Sequence, residues 1–448
     1  MYVSGSPASL TRNFTSSVAG NVVYAACQWG TMVALAKLGS PDLVGGFALA
    51  LALTAPAVVF SQLNLRAVQA TDVRGEYAFA DYLAVRLVTT SLVMALLTAF
   101  ILWSGYRGGI VSVIVLVGAA KAIDSLTDVL LGEWQRTERL DAVSVVYAIN
   151  GIASLSGLVA ALVATRSLTL AAFAYAAGSA VALVTAVGLH PRITGHGVPR
   201  PTSNVPRLWT LVKIALPLGP VMLLVTLSGS IPRYFVSAAL GNHALGIFAA
   251  LSYLVVAGTT LVGAMGQSLS PRLARQYSSG DLRGFGRLLV RFALSAAALG
   301  VCGVAVATLA GRPILSLMYS AEYGAASGVL VVVMLAGGLS YVGSVLGYGL
   351  TAARQFSAQL PLMACSVAVT GAAAAFLVPR IGITGAAWAS ALGAGAQIVG
   401  SVMLLAMSAR STRRSPTGVG EEMAGAIGQT AGSVVVLSPA LNRIRGDR

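Results

Sequence analysis

Lys121, Asp124 and Asp128 are three charges inside one apolar block, running from about Gly108 to Gly132. Their offsets of three, four and seven place them on one face of a helix. A lysine with two carboxylates on such a face suits either of two tasks. The ammonium meets an anionic group while a carboxylate titrates or holds a cation, or the residues form an ion pair that only lets a helix carry polar groups. If that helix crosses a bilayer, each charge is expensive and marks a candidate functional position.

Composition predicts that it does cross. Charged residues make up 10% of the 448 and hydrophobic residues 56%, against about 25% charged in an ordinary soluble domain. Twelve apolar blocks are each long enough to span about 30 Å of hydrocarbon. They lie near 15–37, 43–63, 83–104, 109–131, 144–165, 168–189, 210–235, 245–268, 289–310, 326–350, 358–378 and 383–408. Blocks this long, without period-two alternation, predict helices rather than a barrel. Arg12 followed by a long apolar run, with no Ala-x-Ala site after it, reads as a retained first helix rather than a leader. Cys27, Cys302 and Cys365 fall inside apolar blocks and read as small core hydrophobes. His190, His196 and His243 fall in predicted loops, too dispersed for a metal site.

The net charge is +15. With twelve spans, Lys37, Arg107, Arg166, Arg233, Arg312 and Arg380 fall on one side, and nearly all the other basic residues on the opposite side. The positive-inside rule then predicts both termini in the cytoplasm. No zinc-finger, RNA-binding or basic-zipper pattern is present, so the basic balance points to membrane topology and not to nucleic acid.

The chain repeats itself once. Val44-Gly45-Gly46-Phe47-Ala48 before the second span matches Leu245-Gly246-Ile247-Phe248-Ala249 before the eighth, 201 residues on. An even number of spans per half makes the repeat parallel, about an axis along the membrane normal. The predicted architecture is all-α and polytopic: twelve transmembrane helices in two six-helix bundles with a cleft between them. The predicted segments are a cytoplasmic stretch 1–14, an N-terminal bundle 15–189, a Pro/Gly-rich cytoplasmic linker 190–209, a C-terminal bundle 210–408 and a mobile basic cytoplasmic tail 409–448.

Several motifs carry a resemblance. Asn64-Leu65-Arg66 through Asp72, with Arg74, Glu76, Asp81 and Arg86, resembles the Wzx-type polysaccharide flippases. So does Lys121 through Asp128, followed by Gly132, Gln135, Glu138 and Arg139. In the second half, Ser270-Pro271-Arg272-Leu273-Ala274-Arg275, Glu322-Tyr323 and Leu346 through Arg354 agree as well. The similarity spans about 15–408. It implies a MATE-like transporter that moves a polyprenyl-diphosphate-linked oligosaccharide to the periplasmic leaflet of the bacterial inner membrane, for lipopolysaccharide, capsule or exopolysaccharide assembly. The implied partners are that lipid-linked glycan, membrane lipids, and a glycan polymerase with other assembly proteins, around a monomeric transport unit. No cofactor, catalytic residue or metal is implied.

A lipid diphosphate wants cations near mid-depth. The candidate substrate contacts are Lys121, Lys213 at the opening of the seventh span, Arg233 near its far end, and the matched pair Arg66 and Arg272. Asp124 and Asp128 are the candidates for ion coupling. For Lys213 the alternative is a snorkelling interfacial lysine. For Arg66 and Arg272 it is an anchor beside anionic lipid, and part of 272–291 reads as an amphipathic surface helix. A MATE-type multidrug efflux pump is the runner-up within transport. A membrane polymerase or ligase would need a catalytic set on a long outer loop, which the sequence lacks.

Overall fold

The computed structural model describes residues 7–414 apart from 73–75, 138 and 217–218; the side chains of 7–18, 70–71, 267, 356 and 409–414 are also outside the description. The predicted tail 409–448 therefore lies almost wholly outside the described residues.

The described residues form helices and no strand. In order these are α1 Pro7–Leu38, α2 Pro41–Gln62, α3 Leu65–Thr71, α4 Phe79–Trp103, α5 Gly109–Arg136, α6 Leu140–Thr165 and α7 Leu168–Thr194. There follow α8 Val205–Ala215, α9 Gly219–Ser278, α10 Leu282–Met318, α11 Ala321–Gly324, α12 Ser327–Ala352, α13 Phe356–Ile381 and α14 Ile383–Arg414. Ten of them are long and apolar enough to span a bilayer. A straight α9 of 60 residues would run about 90 Å, three times the hydrocarbon thickness. It turns back at Gly241, whose φ of 80° and ψ of −177° are open only to glycine. Counting α9 as two crossings and adding α1 gives twelve. The protein is a multi-pass membrane protein.

The helices pack as two bundles. In the first, α6 and α7 pack on each other, α6 on α1, and α5 on α7, α2 and α4. In the second, α12 packs on α10, α14 and α9, and α13 on α14 and α9. The bundles meet chiefly where α2 lies against α9. For orientation, one end of the molecule carries the connector between α7 and α8 and is called the linker end. The other, which carries the α1–α2 turn and Gly241, is called the seam end.

At the seam end the two bundles touch backbone to backbone. A Cβ added to Gly45 would sit 1.9 Å from the Asn242 carbonyl oxygen, and one added to Gly246 would sit 1.8 Å from that of Pro41. These are the two repeated glycines, each facing the partner half's turn, as a two-fold axis between the halves requires. Beside them, His243 Nδ1 lies 3.3 Å from Asp42 Oδ2 and its Nε2 lies 3.0 Å from Glu322 Oε1.

Several expectations are corrected. The linker is shorter than read: α7 continues to Thr194, and α8 packs on α4. Arg207 on α8 pairs with Asp81 at 2.9 Å and donates to the Glu76 carbonyl at 2.7 Å, which docks the connector on the first bundle. His190 is not in a loop. It is buried on α7, where the Trp134 indole donates to its Nδ1 over 3.3 Å. His243 is not in a loop either, and it has two carboxylate partners. Cys302 and Cys365 are exposed rather than core. The basic stretch 272–291 is the continuation of α9 and α10 beyond their apolar spans, not a separate surface helix.

Candidate functional site

Lys121, Asp124 and Asp128 project from one face of α5 into a cavity of about 240 Å³, walled also by α1, α2 and α6. Lys121 Nζ lies 3.0 Å from Asp124 Oδ2. The other Asp124 oxygen accepts from Asn150 Nδ2 over 2.8 Å, and Asn150 Oδ1 accepts from Ser154 over 3.2 Å. Both charges are mostly buried, at 18% and 17% side-chain exposure, so the pair is screened far less than a surface one. Lys121 is thus paired with Asp124, as the ion-pair reading has it, beside a cavity whose walls all belong to the first bundle.

Lys121 has an aromatic neighbour as well. Its ammonium stands 5.8 Å from the Tyr175 ring centroid. Across the boundary, Tyr253 on α9 lies within electrostatic range of Lys121, Tyr175 and Arg233. Arg233 stands 6.0 Å from the Tyr253 ring, and its Nε is buried without a hydrogen-bond partner. Lys121 with Tyr175 in the first bundle and Arg233 with Tyr253 in the second thus form two cation–ring pairs. Cation–π contacts of this sort contribute from about 0.5 to 2 kcal/mol each.

Asp128 belongs to a different group. One oxygen lies 2.8 Å from Arg66 Nη1, the other 3.3 Å from Arg86 Nη2. Arg66 reaches it because the chain turns sharply after α2: Leu63 and Asn64 both take left-handed conformations, at φ 47° and 52°. Such a conformation costs a branched residue about 1–2 kcal/mol; Leu63 is 3% exposed, and its burial in the first bundle's core holds it there. Arg66 also donates to Gln135 Oε1 at 2.9 Å and to the Tyr147 hydroxyl. Arg86 on α4 is fully buried. It donates to Ser125 Oγ over 3.4 Å, and its Nε has no hydrogen-bond partner.

The remaining candidates lie apart. Lys213 sits on α8, a separate helix, exposed and 5.6 Å from the Trp209 ring. It does not open the seventh crossing, which starts at Gly219. Arg272 is exposed in a shallow groove with Arg275 and has no ion pair among the described residues. Arg66 and Arg272 therefore match in the repeat but not in their surroundings. A cavity of about 290 Å³ in the second bundle, beside Cys302, Met334 and Tyr341, is apolar.

Arg86, named above only within a motif, and His243, taken above for a loop residue, are the two to which the sequence assigned no site role. Arg86 falls within the third apolar block, and a charge at that depth is itself the signal. His243 follows Asp42 by the same 201 residues as the repeat, so superposing the halves would have paired them. Asp72 and Asp81, from the motif block, hold backbone instead: Asp72 accepts from the Glu76 and Tyr77 amides, and Asp81 from the Ala78 amide.

No family model matches the sequence. The chain is 23% identical over 384 residues to the capsular polysaccharide biosynthesis protein CapF of Staphylococcus aureus, covering 84% of this chain and 94% of that protein. Its fold is similar to the outward-facing and inward-facing conformations of a multidrug resistance MATE family transporter of the MOP superfamily. The TM-scores are 0.61 and 0.60, each at 13% identity, over 91% and 90% of this chain and 96% of those chains. It is also similar, at TM-score 0.56 and 13% identity over 89% of this chain and 96% of the other, to a MOP superfamily transporter from Pyrococcus furiosus. That transporter's binding pocket is described as reversed in polarity, suggesting a different function. The architecture is therefore MATE-like, with two six-helix bundles.

Proposed function

We propose that this chain, which resembles the Wzx-type polysaccharide flippases of the MOP superfamily, moves polyprenyl-diphosphate-linked oligosaccharides between the leaflets of the bacterial inner membrane. The observation that carries this reading is the cationic interior. Lys121, Arg66 and Arg86 lie inside the first bundle and Arg233 in the second, and among the described residues the carboxylates paired with them are Asp124 and Asp128. A buried surplus of positive charge suits a diphosphate and repels a cationic drug, which disfavours a multidrug pump. The relative's part in capsule biosynthesis agrees with the same substrate class.

In this reading the linker end faces the cytoplasm, because most basic residues lie there. Arg66 and Arg272 meet the lipid diphosphate at that face. Lys121 and Arg233 meet it deeper, and Lys213 touches it only in passing at the surface. The bundles rock about the α2–α9 contact. Asp124, held by a single cation and an amide, is the better candidate for ion coupling, since Asp128 is held by two arginines. The transport unit is a monomer that passes the glycan to a polymerase and other assembly proteins.

The experiment is reconstitution into proteoliposomes with a fluorescently tagged polyprenyl-diphosphate oligosaccharide. The expected result is movement of the chemically unchanged lipid to the opposite leaflet, slowed by Lys121→Ala. Extended or cleaved product would instead make the protein an enzyme, and equal movement of cationic dyes would make it an efflux pump.

A further inference from the structure

The ion pairs of the first bundle do not balance. Lys121 and Asp124 cancel. Asp128, though, has two cations, Arg66 and Arg86, and the described residues place no second carboxylate on either arginine. Arg66 alone would neutralise Asp128. Arg86 is a whole buried charge beyond that need, with 0% side-chain exposure and a buried Nε that nothing accepts. A buried arginine is costly unless paired and hydrogen-bonded, so a surplus one points to an anion that joins the group.

The geometry shows which arginine that anion would take. Arg86 is sealed behind Asp128. Arg66 is 23% exposed and is held by contacts to Asp128, Gln135 and Tyr147. If Arg66 turned from Asp128 to an incoming phosphate with no second cation behind, a largely buried carboxylate would be left unpaired, and breaking such a pair by removing one partner is strongly unfavourable. Arg86 removes that obstacle, because it keeps hold of the other oxygen of Asp128.

We infer that Arg86 is a positioning residue that makes Arg66 available to the diphosphate of the lipid substrate, by keeping Asp128 neutralised when Arg66 changes partner. This rests on the substrate class proposed above. The site lies at the linker end of the first bundle, one helical turn from the Lys121–Asp124–Asn150 group along the same cavity, and its net charge of one is set by a residue the substrate does not touch.

The test is a charge series in nanodiscs of uncharged lipid. It measures binding of a sugar-free polyprenyl diphosphate against the uncharged polyprenol. Wild type carries a surplus of one charge, Arg86→Met none, and Arg86→Met/Asp128→Asn one again. Arg86→Met is expected to weaken diphosphate binding about tenfold or more, with polyprenol binding unchanged. The double variant is expected to recover to within about threefold of wild type, and Arg86→Lys to keep most of the affinity. A merely structural role for Arg86 does not predict recovery by a second substitution. If the Met variants do not run as monodisperse protein, Arg86→Gln with and without Asp128→Asn gives the same charge series while keeping a hydrogen-bond donor toward Ser125. Equal diphosphate binding by wild type and the uncharged variant, or a folded double variant that stays weak, overturns the inference while leaving the substrate class standing. A wild type that does not prefer the diphosphate over polyprenol overturns both.

Discussion

Asp124 and Asp128 are one turn apart on the same helix, yet their surroundings give them different work. Asp124 shares its charge with one lysine and one amide. Asp128 is clamped between two arginines. Removing its carboxylate leaves those guanidinium groups facing each other in a largely buried place. Asp128→Ala is therefore expected to cost about 3–5 kcal/mol of stability, visible as a lower unfolding temperature in detergent, whereas Asp128→Asn loses less because hydrogen bonding survives. Lys121→Ala strips Asp124 of its cation and removes the ammonium beside Tyr175. It should lower transport about tenfold or more, and Lys121→Arg should restore part of it, since the cation over Tyr175 is kept. Leaflet-resolved transport in proteoliposomes measures both.

Among the elements, α2 and α9 decide the contact between bundles. Their approach at the seam end is closer than any side chain allows, since Gly45 and Gly246 each face a backbone carbonyl of the other half. Gly45→Val must push the halves apart there. With Cys27, Cys302 and Cys365 replaced by serine or alanine, Asp42→Cys and His243→Cys are expected to react with a short, reducible thiol cross-linker. The same pair carrying Gly45→Val is expected to react several times more slowly; equal rates would mean that the two turns do not meet in the membrane. The repeat was legible from these glycines and from Phe47 and Phe248. What it meant was not, because a sequence match says that two segments are alike and not that they touch.

For the whole molecule, the two bundles join chiefly where α2 meets α9, and in the alternating-access reading proposed above the seam end is the part that must open. His243, bridging Asp42 of the first half and Glu322 of the second, lies across that opening. All three side chains are about half exposed or more, so the bridge itself contributes only about 0–1 kcal/mol. It can bias the closed state without locking it. Locking is what the cross-linker would do: transport by the Asp42→Cys/His243→Cys protein is expected to stop on cross-linking and return on reduction. Transport that continues through the locked seam would rule out opening at that end.

Twelve crossings, a parallel repeat and a charged face on the fourth crossing were determined by the sequence alone. The physical reason is that a bilayer demands long apolar runs and makes every interior charge conspicuous. The partners of those charges were decided only by the tertiary structure. Asp128 meets Arg66 from 62 residues away and Arg86 from 42, and His243 meets Asp42 from 201. Local spacing orders residues along one helix, while ion pairing between helices depends on how they rotate against each other. Lys121 and Asp124, three residues apart, were paired by the period of the helix; Arg86 was paired by the packing of α4 against α5, which no local pattern records.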